Sequence, residues 1–499
     1  MNAMWSGEQS RQIIMRIVIE CELVLQTPTH FGNGDGDDVT DMPLLLDPHD
    51  EAEGRVTPLL TGASLAGALR SYLREVEHGY GARVEKGQGS ASVLLFGGLK
   101  RDDDGKQSAL TVDDSRGAED TSGIEMRDGV RLDPSSRTAA DKAKFDLQLW
   151  QAGTRFRLRF ELCIRKEDDA TSLKQALLTA LAGLSNGGIT LGARKRRGYG
   201  SVKAGTWRVR VFDLLKASDL IAWVAEGEQR PSKVVTDLAD ELGVTPLPNQ
   251  WGVFHLQAEF ALAGSMLIRS GGVERFGPDD EHLRTRQVDG ENKPVLSGTS
   301  LAGALRGRSL KICRTLGREG QAKQLVDSMW GADMDEIRRR RSAGDLAATP
   351  HASRVAVSER VIDDAVTELV QSRVSIDRFT GGALDTALFN QQPVFGKADT
   401  KVTVEVRLPR PEAHEIGLLL LLLKDLWTSD LALGGESSVG RGRLQGRQAV
   451  LSHASAETIK SWTLRSRDED EVEVTGGSRD ELEEYVRAFH RRLQEMAAQ

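Results

Sequence analysis

Thr61-Gly62-Ala63-Ser64-Leu65-Ala66-Gly67-Ala68-Leu69-Arg70 recurs 236 residues downstream as Ser297-Gly298-Thr299-Ser300-Leu301-Ala302-Gly303-Ala304-Leu305-Arg306, with eight of the ten residues identical. Recurrence on that scale marks an internal duplication, so the 499-residue chain reads as two related units. Each copy follows a short apolar run, and Ser64 and Ser300 stand where a helix N-cap is expected. Leu65, Leu69 and Leu73 fall on one helical face, with Arg70 and Arg74 on another. Gly67 and Gly303 lie inside the helices, where Gly costs about 1 kcal/mol against Ala. A Gly kept there in both copies points either to close approach of a backbone or ligand, or to tight helix–sheet packing.

Composition bounds the rest. Hydrophobic content of 39% is ample for buried cores, and no run approaches the ~18 apolar residues of a membrane span. No basic region precedes a long apolar stretch, so no signal peptide is expected, and Met15 lies close to where the fold begins. Three scattered cysteines (Cys21, Cys163, Cys313) make neither a disulfide framework nor a zinc knuckle, which fits a reducing, cytoplasmic compartment. A net charge of −8 argues against a generic nucleic-acid binder. The charge is uneven, however: Arg194-Lys195-Arg196-Arg197 and Arg338–Arg341 are dense basic clusters, and local field governs binding in a groove.

Taken in order, Arg16–Gln26 alternates as a strand and runs into a Gly-rich turn and an acidic loop, 35–41. The Ser64 helix reaches about His78, and 79–120 reads mostly as loop. A strand (154–164), a helix (171–184), the basic cluster with Gly198-Tyr199-Gly200, and a strand (201–211) complete a unit. The second unit repeats this plan. Asp133 pairs with Asp377 and Phe145 with Phe389 at an offset of 244, and Gly198–Gly200 pairs with Gly440–Gly442 at 242. The expected divisions are a first unit 1–214, a connector 215–250, a second unit 251–452 and a polar tail 453–499 with a last helix. The expected fold class is α+β: two tandem ferredoxin-like, RRM-like βαββαβ units with insertions.

Phosphate contacts are expected where Gly-rich loops expose backbone N–H groups beside Arg194–Arg197 and Arg441. Aromatic residues are only 5% of the chain, so binding should follow backbone and shape rather than stacked bases. Asp35, Asp37, Asp38 and Asp41 crowd one loop, either as a solvated acidic turn or as oxygen donors sharing a cation. His30 could act as a general base, though a lone His is more often structural.

The Ser-Leu-Ala-Gly helix opening, the stretch Ile376-Asp377-Arg378-Phe379-Thr380-Gly381-Gly382-Ala383 and the two Gly-x-Gly loops together resemble the RAMP superfamily of CRISPR-associated proteins. Within it the chain is similar to backbone subunits of type III effector complexes, and two units in one chain resemble the fused subunits of type III-D. The resemblance implies a guide-RNA-binding subunit that stacks with other effector subunits, uses a thumb hairpin to displace a nucleotide, and cuts bound target RNA with an acidic residue. The family's Asp-x-Pro-x-x-x-Asp pattern falls on Asp41–Asp47, making Asp41 the expected cleavage and metal-holding residue, with Mg²⁺ or another divalent cation as cofactor. The second unit lacks that Pro, and Asp280 is the expected counterpart. The thumbs would fall near Asp133–Asp146 and Ile376–Asn390, with Asp133, Phe145, Asp377 and Phe389 as their marker residues. The guide-contacting set is Ser64, Arg70, Arg74, Arg194, Lys195, Arg196, Arg197, Ser300, Arg306, Arg378 and Arg441. Two alternatives stay open: a purely structural backbone subunit, and a guide-processing endonuclease built on His30.

Overall fold

The computed structural model describes residues 12–34, 41–82, 90–98, 107–132, 138–270, 277–317, 319–455, 458–467 and 471–498. Alternation in β1 (Ile13–Leu25) buries Ile17, Ile19, Cys21, Leu23 and Leu25 on one face. The chain then crosses to α1 (Gly62–His78), β2 (Leu110–Val112), a hairpin of β3 (Ile124–Leu132) and β4 (Ala139–Trp150), β5 (Arg155–Arg165), α2 (Ala170–Ser185) and β6 (Val202–Asp213). The antiparallel sheet runs β2-β5-β1-β6, the ferredoxin-like order, with α1 and α2 covering one face. Leu65, Leu69 and Leu73 are fully buried there, each contributing ~1.5–3 kcal/mol.

The connector is part of the first unit. Its helix α3 (Ala217–Ala225) leads to β7 (Lys233–Val235), which pairs with β6, and Leu238 and Leu242 enter the first core.

The second unit repeats the plan with β8 (Val253–Ala263), β9 (Asn292–Leu296) and α4 (Gly298–Leu316). After α5 (Glu319–Trp330) and α6 (Met334–Ser342) come β10 (Ala356–Val357), β11 (Arg360–Asp363) and a hairpin of β12 (Gln371–Ile376) and β13 (Ala383–Gln392). The unit continues through β14 (Lys401–Pro409), α7 (Ala413–Trp427) and β15 (Arg443–Ala454). Its sheet places β11 and β10 beside β14, then β8, then β15. The polar tail is no appendage: β16 (Ile459–Ser466) and β17 (Val472–Thr475) extend the sheet, and α8 (Arg479–Ala498) packs on α7. Fully buried Trp462 and Phe489 anchor it.

The helix caps differ from the sequence expectation by three residues. Thr61, not Ser64, is the N-cap of α1, and its side chain accepts the Ser64 N–H at 3.2 Å. Ser297, not Ser300, holds the same place on α4.

The two units meet head to tail. The Gly-rich loop of the first lies on the second: the Val357 N–H donates to the Arg196 carbonyl at 3.1 Å, and Arg197 and Val357 form a parallel bridge. Beside it, Arg127 of β3, only 4% exposed, donates two hydrogen bonds to Glu359 (2.5 and 2.9 Å) and one to Glu125 (2.5 Å). Burial works against its charge, yet Glu359 and Glu125 hold its pKa well above the usual arginine value. Arg127→Ala would strand the buried Glu359 carboxylate and should cost ~3–5 kcal/mol, whereas Arg127→Met with Glu359→Met should recover most of that loss. Chemical unfolding of the full chain measures both.

Candidate functional site

The candidate site forms where the loop after β1 is zipped to the β3–β4 hairpin, the hairpin expected to serve as the thumb and called so below. The Asp41 N–H donates to Asp146 Oδ1 at 2.8 Å, and the Asp146 N–H donates to Asp41 Oδ2 at 3.1 Å. The Gln148 N–H donates to the Met42 carbonyl at 3.3 Å, and the Leu44 N–H to Gln148 Oε1 at 3.2 Å. This exchange fixes an exposed Asp41 carboxylate at the base of the β3–β4 hairpin. Asp47, which closes the family pattern, is structural: it is buried, caps the Pro48–Ala52 helix and pairs with Arg116 at 2.9 Å. Asp35, Asp37, Asp38 and Asp133 lie outside the described residues.

The basic loop reaches the same place. Arg194 takes a left-handed backbone (φ 54°), which a non-glycine residue adopts only when held. Its guanidinium lies 4.1 Å from the Phe145 ring centroid and 3.8 Å from Met42 Sδ. Burial, then the like charge of Arg197, pulls its pKa below the usual arginine value. Arg196 stacks on Tyr80 at 4.6 Å. Among the described residues none of Arg194, Lys195, Arg196 and Arg197 forms an ion pair with a carboxylate, and Glu75 is the acidic group that feels the charges of Arg196 and Lys195.

A cleft of about 430 Å³ opens between this loop and the start of α1, lined by His30, Thr61, Ser64, Gly67, Gly192 and Lys195. A Cβ on Gly67 would meet nothing within 4 Å, and the same holds for Gly303. Helix–sheet packing therefore does not account for these glycines. They bare a helical backbone to an open surface. His30 is 4% exposed, and its Nδ1–H donates to the Gln148 carbonyl at 2.9 Å. Its ring fills the space a Gly32 side chain would take, and burial lowers its pKa. That is the environment of a structural histidine.

Several expected RNA contacts have partners within the chain. Arg70 donates to the Gly97 carbonyl (3.0 Å), Arg74 reaches the Ala82 carbonyl only at 3.5 Å, and Arg306 pairs with Asp327 (2.7 Å). Arg441 is 2% exposed and held by Gln371 (2.9 Å), Gln391 (3.0 Å) and Glu436 (3.2 Å), so it is a thumb-base residue rather than a free phosphate contact. Ser64 and Arg378 remain at the surface.

In the second unit the register corrects one expectation. Asn390 lies at the offset of 244 from Asp146, and its N–H donates to Asp279 Oδ2 at 2.7 Å. Asp279, exposed like Asp41, is therefore the positional counterpart. Asp280 is tied to Gln391 (2.9 Å) and Arg269 (3.1 Å). The loop keeps its backbone but not its charge: Glu436 repeats the left-handed conformation of Arg194 (φ 59°), and Ser437, Ser438 and Val439 replace Lys195, Arg196 and Arg197. The β12–β13 tip is a turn closed by Asp377, whose side chain accepts the Phe379 N–H at 3.1 Å. Phe379 is 99% exposed there, and Phe389 lies on β13 opposite Arg373.

A model of the RAMP superfamily matches residues 22–203 and 259–445, one stretch in each unit. The chain belongs to the RAMP superfamily. RAMP proteins bind RNA and join CRISPR complexes with other subunits, and the duplicated βαββαβ architecture is that of a double-unit RAMP protein. No curated protein matches the chain. Among the described residues no helix is long and apolar enough to cross a membrane.

Gly67→Leu should melt no lower than the wild type, because its side chain points into open space, while RNA affinity falls about tenfold as the cleft fills. Thermal unfolding and a filter-binding titration read the two effects separately.

Proposed function

We propose that this RAMP protein is a guide-RNA-binding backbone subunit of a type III CRISPR effector complex, of the fused III-D kind, and that its first unit cleaves bound target RNA at Asp41. The observation that carries this reading is the exposed Asp41 carboxylate, pinned to the thumb base at the edge of a cation cluster without carboxylate partners. In the cytoplasm, RNA would enter the cleft beside α1 with its phosphates toward Lys195 and Arg197.

RNA can be cut by its own 2′-hydroxyl attacking the adjacent phosphorus in line, which forms a 2′,3′-cyclic phosphate as the bond to the 5′-oxygen breaks and that oxygen takes a proton from water. The protein must then hold the backbone in that geometry, accept the hydroxyl proton and balance charge on the phosphorane. Asp41 is the proton acceptor, and Lys195 with Arg197 opposes the developing negative charge. Asp146, reciprocally bonded to Asp41, orients it.

Asp41 and Asp146 each spend one oxygen on their mutual exchange. The other two are hard donors suited to Mg²⁺, which commonly takes one or two carboxylates together with waters and phosphate. Among the described residues no group of three or more such donors forms, so water and RNA phosphate would complete the shell. A divalent cation held there would supply charge neutralisation at the scissile phosphate. The second unit has Asn390 in the place of Asp146, so the Asp–Asp pair of the first unit is not repeated beside Asp279. A buried, carbonyl-bound His30 disfavours the guide-processing alternative.

Target cleavage by the guide-loaded complex tests this. Asp41→Ala should remove one product without disturbing assembly. If the second unit cuts, Asp279→Ala removes its product and Asp280→Ala does not. Persistence of every product in Asp41→Ala would leave a structural backbone subunit.

A further inference from the structure

The thumb base of the first unit holds a cation that the cleavage chemistry has not yet used. On β4, Lys144 lies two residues from Asp146 and therefore on the same face of the hairpin. Asp128 of β3 is the cross-strand neighbour of Asp146, and its Oδ2 accepts a hydrogen bond from Lys144 Nζ at 2.7 Å. Asp146 in turn exchanges hydrogen bonds with Asp41. Asp41, Asp146, Asp128 and Lys144 thus make one charged row across the loop and both strands of the hairpin. The Lys144 side chain is 72% exposed at the end of that row. Its hydrogen bond to Asp128, then the charges of Asp128 and Asp146, raise its pKa above the usual lysine value and keep the ammonium charged.

An exposed ion pair across a hairpin can do no more than favour the hairpin. The duplicated hairpin shows that this one is not needed for that. Its register is the same: Ser372 faces Asn390 as Asp128 faces Asp146, and Val374 faces Leu388 as Val130 faces Lys144. On this face apolar Met126 and Val130 stay apolar as Val370 and Val374, and Gln148 recurs as Gln392. Asp128, Lys144 and Asp146, in contrast, are Ser372, Leu388 and Asn390. The second hairpin forms with an exposed leucine where the first has its lysine.

We propose that Lys144 is a catalytic residue of the first unit, its ammonium positioned by Asp128 to hydrogen-bond the 5′-oxygen that departs when target RNA is cut. This rests on the reading of Asp41 as the proton acceptor. In-line displacement puts the departing oxygen on the far side of phosphorus from the 2′-hydroxyl, so the group that serves it must stand a phosphate's width from the acceptor. Two residues of strand separate Lys144 from Asp146 by ~7 Å, about the span of a phosphate with a hydrogen bond at each end. Lys195 and Arg197 approach from the Gly-rich loop and oppose charge on the non-bridging oxygens. Lys144 stabilises the oxygen whose bond to phosphorus breaks, until water protonates it. The lysine keeps its own proton.

Cleavage by the guide-loaded complex of two target RNAs tests this. One has an ordinary linkage at the first unit's cut, and the other has sulfur in place of the bridging 5′-oxygen, which leaves as a thiolate without help. In Lys144→Met the ordinary linkage should be cut about a hundredfold more slowly in single turnover, and the sulfur linkage within about threefold of the wild-type rate. Target affinity and melting temperature should stay those of the wild type, because an exposed ion pair adds little to stability. Equal slowing of both linkages, an undiminished rate on the ordinary one, or a loss of target affinity that accounts for the slower cut would overturn the proposal. An Asp41→Ala complex that still makes this product, or a wild-type complex that makes none, would instead overturn the functional reading.

Discussion

A single buried guanidinium fixes how the two halves of this molecule relate. Arg127 leaves the thumb strand of the first unit and is closed over by Glu125 and by Glu359 of the second. A charge taken from water needs its full complement of partners, so the pair tolerates little displacement. It holds β3, the Gly-rich loop and the second unit's β10–β11 segment in one register. The thumb base that carries Asp41 inherits that register through Gln148, Met42 and Phe145. The position of the site therefore depends on the contact between units as well as on the fold of either one.

The duplication preserved backbone more strictly than side chains. Gly192 and Gly434 both press on the backbone after the first strand, and Gly200 and Gly442 share a φ of 75°. Between them Arg194 and Glu436 hold the same left-handed conformation with opposite charges. Arg194 belongs to a cation cluster with no carboxylate among its partners. Glu436 is surrounded by Arg269, Arg373 and Arg441, so the second loop sets a carboxylate among its cations. One scaffold thus presents a basic loop in the first unit and a mixed-charge loop in the second.

Much of this was legible in the sequence, and what was hidden was hidden for physical reasons. The repeated helix opening and the glycine spacings carried the two-unit α+β fold, because backbone conformation demands those residues. Strand β2 could not be read: it has three residues, Leu110–Val112, in a Gly/Asp/Ser-rich stretch and is specified by pairing with β5 rather than by its own pattern. The tail looked detached because its anchors, Trp462 and Phe489, are single apolar residues among charges. Asp280 drew attention over Asp279 because two adjacent carboxylates are equivalent in sequence and only the pairing with Asn390 separates them. Arg441 read as a phosphate contact because burial is invisible in a Gly-Arg-Gly motif.

The proposed function requires that the two RAMP units, which contact each other through the Gly-rich loop and Arg127, lay one RNA strand across both in turn. Hydroxyl-radical footprinting of a guide RNA bound to the full chain tests it most directly. The account predicts two protected tracts separated by a short, more reactive gap, with Arg127→Ala blurring the spacing between them. A single protected tract, or protection without any repeat, would contradict it.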